Sequence, residues 1–449
     1  MKRHAFLLAL LAVCVSSAGS AVGRAHALAV RSVLPSTADA KTLLNATTRH
    51  REWVNLAPDS SSAFAFVVWP ERADRAPVIL ITARGDSADV RSRAVADQLA
   101  AEGFIGVATE TSSRAAARTY ASHLPAADGS SAWLDIDFAQ SHAQVVTNAN
   151  GAVGHFSLTA AEWPQLVEYL SRATGNSFAA AQQTTGSKAP RLIPGLGDKV
   201  PSLPAAYYTA TKTLAESKLK REYVDIPLGD AKLHTWVEYP AGNAKTGVVI
   251  VMQHGVGLDD WMRSVADQIA LDGFIAVAPD AWSGTGPNGG NRDSFQFDDD
   301  AMKAAARITA DETQRRYKAA RDWALTLPRA NGKTGSIGFC AGGNNSFRFA
   351  GEVPELNAAV VFYGTMPTED LVKQIKAPVL GFYGENDARV TATVEPTIEL
   401  MKRLGKSYEP HVYPKVTHSF VYFQDLSVNR EAVADAWPHV VAFYNKNLK

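Results

Sequence analysis

The 449-residue chain is short of cysteine, of net charge and of long apolar runs, and each shortage removes a class of protein. Two cysteines cannot build a disulfide scaffold or a cysteine-rich zinc module. Forty-five Lys plus Arg against 45 Asp plus Glu leave no electrostatic footprint for nucleic acid or for an anionic membrane. Stability must then come from packed cores, and 46% hydrophobic residues is enough to build them. At roughly 150 residues per domain the length suggests two or three domains.

The apolar run Ala5–Val15 follows Lys2, Arg3 and His4 and leads into small residues through Ala27. Its 11 residues are too few to span a bilayer, so no stable membrane span is expected. The three-part pattern is that of a secretory signal over residues 1–27, with cleavage after Ala21 and after Ala27 both compatible. Export to the periplasm or beyond is the expectation. Cys14 would leave with the signal; Val13 before it makes a poor lipoprotein box. Cys340 is then a single thiol in an oxidising compartment, which calls for an explanation.

A shift of 170 residues lays Val95–Glu110 over Val265–Asp280 without a gap, with ten of 16 positions identical, and lays Arg51–Val54 over Arg221–Val224. About 60 residues read as one unit present twice. In the second copy, Lys232–Tyr239 alternates, Val248–Met252 and Phe274–Ala278 are continuous apolar runs suited to buried strands, and Trp261–Leu271 has helical spacing. Buried strands alternating with helices predict an α/β fold with a doubly wound, mainly parallel sheet. Gly, Pro, Ser, Thr and Gln crowd residues 175–215, which read as a linker. The expected layout is a partial α/β repeat over 45–174 and a complete α/β domain over 221–449.

Gly338-Phe339-Cys340-Ala341-Gly342-Gly343 follows an apolar strand and precedes a helical segment from Asn345 to Ala350. Small residues permit a sharp strand-to-helix turn, and the helix N-terminus favours a thiolate at its centre. A buried inert thiol in a Gly-rich turn is the competing reading. Asp387, in Gly384-Glu385-Asn386-Asp387, leaves the carboxyl end of another buried strand, and His418 lies in the loop after the next one. Nucleophile, acid, histidine is the chain order of the α/β-hydrolase triad, which favours a catalytic reading of all three.

On Gly338–Gly343, Gly384–Asp387 and His418-Ser419-Phe420, supported by Leu258–Trp261, Ala278–Asp280 and Phe362–Gly364, residues 221–449 resemble the dienelactone hydrolase family. The resemblance implies ester or lactone hydrolysis through an acyl-enzyme, with no cofactor or metal: Cys340 attacks, His418 moves the proton and Asp387 orients His418. It implies an oxyanion hole from the backbone N–H groups of Ala341 and Gly255, each such donor contributing roughly 3 kcal/mol in the transition state. Two positions depart from the family. His254 stands where a glutamate usually sits near the nucleophile, so the imidazole either favours a resting thiolate or only fills the space. Tyr422 replaces an arginine that would bind the carboxylate of dienelactone, which argues against strict dienelactone specificity. Trp282, after a strand end, is a candidate either for the pocket or for the core.

The first copy has no such turn; its oxyanion position would be Ala83–Asp86, and Gly151–Phe156 is the candidate for the strand before a lost elbow. It reads as catalytically silent, packed on the active domain or over its mouth. Asp298-Asp299-Asp300 reads as a solvated helix start, and His123, His142 and His155 lack metal spacing. The expected partner is a small ester or lactone. The competing reading is a non-catalytic binding or scaffold protein of the envelope, and oligomeric state is left open.

Overall fold

The computed structural model describes residues 35–56, 63–83, 90–109, 111–124, 126–147, 153–159, 162–176 and 199–449. The signal segment 1–27, the middle of the expected linker and Arg84–Asp86 lie outside the described residues. Two mixed sheets carry the fold. The first has seven strands, β1 (Arg51–Asn55), β2 (Phe64–Val68), β3 (Ala76–Ala83), β4 (Ile105–Thr109), β5 (Ala127–Asp137), β6 (His142–Thr147) and β7 (Val153–Ser157), in the order β1-β2-β4-β3-β5-β6-β7. The second has eight, β8 (Lys220–Leu228), β9 (Ala231–Tyr239), β10 (Thr246–Met252), β11 (Ile275–Pro279), β12 (Ala330–Phe339), β13 (Ala358–Phe362), β14 (Val379–Asn386) and β15 (Tyr408–Thr417). Its order is β15-β14-β13-β12-β10-β11-β9-β8, parallel from β11 through β15 with β8 and β9 antiparallel at one edge.

The central strands are parallel because their side chains can be buried on both faces. All seven residues of β10 are buried; Val248, Ile250 and Met252 face one core, and Val249 and Val251 face the other. The first core continues into the first sheet, so Phe66, Ile79 and Ile81 belong to one apolar cluster with Ile250 and Phe347. The helix Asp260–Leu271 covers the second face, its first turn capped by the Asp259 carboxylate accepting from the Met262 N–H at 2.9 Å. The closing helix Ser427–Leu448 packs beside it.

The first five strands of each sheet follow one plan. Val67 pairs with Val107 and Val237 with Val277; Val78 pairs with Ile105 and Val248 with Ile275. The sheets then diverge. Beyond β5 the chain makes antiparallel β6 and β7, whereas β12 runs into a helix, Ala341–Glu352, and three further parallel strands. The strand of the first sheet that stands where β12 stands is β5, since Val78 pairs with Ser131 and Val248 with Thr334. Of the segment 151–156, expected there, the described residues 153–156 belong instead to the edge strand β7, whose alternate residues are exposed.

Two other expectations change. The first unit begins before residue 45, because the helix Thr37–Ala46 buries Ala40 and Leu44 in the shared core. The described end of the expected linker is packed: Leu203, Ala205 and Ala210 are buried beside Trp261, whose indole N–H donates to the Ala205 carbonyl at 2.8 Å. Pro201 and Pro204 stand in this packed stretch.

Candidate functional site

The site lies beyond the carboxyl ends of the parallel strands, where the chain leaves the sheet. Cys340 sits between β12 and the helix Ala341–Glu352 with φ 57° and ψ −117°, a positive-φ conformation that costs a non-glycine residue energy. The glycines around it are a steric requirement. A Cβ on Gly338 would lie 1.8 Å from the Gly342 carbonyl oxygen, and one on Gly342 would lie 2.2 Å from that of Met252. The turn therefore closes only with these residues bare, and it holds the thiol at the mouth of the sheet.

Asp387 follows β14 and His418 follows β15; both are buried, and the His418 Nδ1–H donates to the Asp387 carboxylate at 2.5 Å. Nε2 of His418 has no hydrogen-bond partner among the described residues, and one nitrogen of His418 lies with Cys340 Sγ in a group of ligating atoms all within 4.8 Å of one another. Burial alone would push the Cys340 thiol up, but the His50 and His418 imidazoles outweigh it and hold the thiol well below its ordinary range. Burial pushes His418 down, yet the charges of Asp387 and Cys340 carry it up to about 9. Asp387, penalised by burial, is held below the usual carboxylate range by His418. Each shift favours a thiolate, an imidazolium and a carboxylate in a row.

The third ring in this group was not legible in the sequence. His50, the residue before β1, places Nδ1 3.4 Å from Cys340 Sγ and its ring 4.4 Å from that of His418. It is buried, packs on Trp69 at 4.9 Å, and is held by its own carbonyl accepting from the Trp69 N–H at 3.0 Å. Its Nε2 lies 3.5 Å from a Glu52 carboxylate oxygen. Burial raises the Glu52 carboxyl, but the hydrogen bond and charge of His50 bring it below the usual range. The first unit thus contributes a side chain to the surroundings of the Cys340 thiol of the second.

His254, the expected neighbour of the thiol, is engaged elsewhere. Its Nε2 lies 3.2 Å from an Asp259 oxygen, and its ring packs on Trp261 at 4.9 Å. Asp259 is fixed as the helix cap, so it draws the imidazole sideways; the ring hydrogen-bonded to sulfur is His50 instead. Gly255 remains beside the thiol, a Cβ there lying 3.9 Å from Sγ, and lines the same cavity as Ala341.

That cavity has two lobes that share His50, His254, Gly255 and Cys340. One, of about 80 Å³, is walled by Thr47, Arg49, Ser419 and Tyr422; the other, of about 180 Å³, is walled by Trp53, Trp282 and Tyr317, and Met302 lines both. Tyr422 and Trp282 therefore both line the cavity. Tyr422 is stacked on Tyr207 at 5.2 Å, and Trp282 is mostly buried against Gly257, whose φ of 92° and missing Cβ make room for the indole. The first unit forms the roof and is clamped there. Asp299, expected to be solvated, is fully buried; its carboxylate accepts from Arg51 Nε at 3.3 Å and Arg93 Nη1 at 2.7 Å. Two guanidinium groups from the first unit compensate the burial of that charge. Among the described residues, no helix is long and apolar enough to cross a membrane.

The family model described as the dienelactone hydrolase family matches residues 233–448. A protein of Aquifex pyrophilus named Protein usf is 31% identical over 221 residues, 44% of this chain and 88% of that one. A protein of Saccharolobus solfataricus, provisionally named a carboxymethylenebutenolidase, is 27% identical over 250 residues, 49% of this chain and 96% of the relative. Among solved structures, dienelactone hydrolase from Anabaena variabilis is 20% identical with a TM-score of 0.42, covering 52% of this chain and 100% of that one.

Proposed function

From the premise that the chain belongs to the dienelactone hydrolase family and is a hydrolase of that kind, we propose that it cleaves small esters or lactones through Cys340, His418 and Asp387. The observation that carries this reading is the buried, carboxylate-backed imidazole of His418 with an unpartnered Nε2 beside a thiol of depressed pKa. Cys340 Sγ attacks the carbonyl carbon as thiolate, and charge moves to the carbonyl oxygen, toward the N–H groups of Ala341 and Gly255. The carbonyl re-forms as the C–O bond to the leaving group breaks, and that oxygen takes the Nε2 proton of His418. Water then attacks the thioester, His418 accepts its proton, and the C–S bond breaks to release the acid and the thiolate. Asp387 holds the tautomer and orientation of His418 throughout. No arginine fills the Tyr422 position, so uncharged acyl groups suit the cavity better than a dienelactone carboxylate.

The same reading takes the first unit as a silent copy of the second, kept because it roofs the cavity and supplies His50 as a thiolate partner. It also takes residues 1–27 as an export signal, which N-terminal sequencing of the secreted or periplasmic protein would test. The catalytic test uses the purified protein on p-nitrophenyl acetate and small lactones beside Cys340→Ala and His418→Ala. A fall of at least about a thousandfold in kcat is expected for each variant; equal rates in all three would remove the enzyme reading and leave a binding protein.

A further inference from the structure

Three ligating atoms from three distant parts of the chain converge in the roofed cavity. Cys340 Sγ, one nitrogen of His50 and one of His418 all lie within 4.8 Å of one another, and the side chains are all buried. Sγ to His50 Nδ1 is 3.4 Å. Tetrahedral zinc, with bonds of about 2.0–2.1 Å to nitrogen and about 2.3 Å to sulfur, holds its ligand atoms about 3.3–3.7 Å apart, so the Sγ–Nδ1 pair already has that spacing and the other pairs close by at most about 1.5 Å. We propose that Cys340, His50 and His418 form a zinc-binding site whose occupancy switches the hydrolase off. The proposal rests on the catalytic reading of Cys340 and His418 only for the switch; the metal site itself rests on geometry.

Two further observations point to a cation. Among the described residues the buried Nε2 of His418 has no hydrogen-bond partner, and one nitrogen of His418 belongs to the group. Each imidazole also has a carboxylate behind its far nitrogen, Asp387 at 2.5 Å from His418 Nδ1 and Glu52 at 3.5 Å from His50 Nε2. Carboxylate–imidazole–metal relays of this kind fix the ring and raise its basicity toward the metal. Two lobes of the cavity meet at Cys340, which leaves a fourth position for water or a small anion. Sulfur and imidazole donors together favour zinc over magnesium or calcium. A zinc ion bound there would use the lone pairs of the nucleophile and of the base at once. Neither attack on a carbonyl nor proton transfer by Nε2 could then proceed until the ion left.

The test uses the full-length protein, stripped with a chelator and titrated with Co²⁺ as a spectroscopic probe, then with Zn²⁺. A thiolate-to-cobalt charge-transfer band saturating at one equivalent, displaced by Zn²⁺, is expected. Cys340→Ser should abolish the band, and His50→Ala should weaken binding by at least about tenfold. His50→Gln serves if the alanine variant fails to fold, with circular dichroism as the control. Esterase activity should fall in step with zinc occupancy and return with chelator. No band at one equivalent, affinity unchanged in both His50 variants, or activity that rises with zinc would overturn the proposal. A band in a protein with no esterase activity at any zinc level would preserve the metal site and remove the catalytic reading instead.

Discussion

The two sheets share a plan for five strands and part company after the fifth. Register places Asp135 where Gly338 stands and Asp137 where Cys340 stands, an offset of 203 residues set by Ser131 against Thr334. At the first of these positions even a single Cβ would strike the turn. Asp135 has a whole side chain there, paired with Arg114 and Thr82, so no elbow can form. Asp137 instead accepts from the Ala139 and Gln140 N–H groups at 3.0 and 3.1 Å and turns the chain into a hairpin. The absence of the turn at this place in the first unit is therefore steric before it is chemical. The start of the first unit does reach the site: His50, with Glu52 behind it, contacts the thiol of the other unit.

The largest predicted effect breaks that comparison directly. Cys340→Ala should remove activity, by at least about a thousandfold, and Asp137→Cys added to it should restore none, because position 137 sits in a hairpin and not in a strand-to-helix turn. Restored turnover would show that the two turns are equivalent. Next comes the clamp between the units. Asp299→Ala leaves Arg51 and Arg93 facing each other without their carboxylate, and a loss of about 3–5 kcal/mol in urea unfolding is expected. A loss under about 1 kcal/mol would mean the units are held by the apolar core alone.

The directions of the pKa shifts set the pH profile. The thiolate is present above the lowered pKa of Cys340, and the imidazolium of His418 is present below about 9, so the reactive pair exists between those limits. Stopped-flow measurement of kcat/KM should show a plateau that begins below the ordinary thiol value of about 8.5 and falls above about 9. A rate that climbs steadily from pH 7 to 10 would contradict the pair. The smallest effect is expected for Glu52→Gln, which keeps the shape but removes the charge behind His50; kcat/KM should fall several-fold, and no change would mean Glu52 only fills space.

The elbow, the acid and the histidine were legible in the sequence because each depends on a short local pattern: small residues around Cys340, and Asp387 and His418 each just after an apolar strand. The same is true of β10 and β11, where burial on both faces writes a continuous apolar run. His50 left no such trace. It stands 290 residues from Cys340, alone before a strand, with Lys220 at the matching place in the second unit. The sequence left two readings of His254 open for a related reason, since the pull of Asp259 is set by a helix cap that composition does not reveal. Asp299 looked solvated within Asp298-Asp299-Asp300; only packing of the first unit buries it, between arginines about 200 residues or more away.

The central claim is that Cys340 rests as a thiolate in a site completed by the first unit. Iodoacetamide labelling of Cys340 between pH 5 and 10, in the native protein and in His50→Ala, measures it directly. The native thiol should label fast well below about pH 8.5, with the curve of His50→Ala displaced to higher pH. Coincident curves, or a native midpoint at or above that value, would contradict the account.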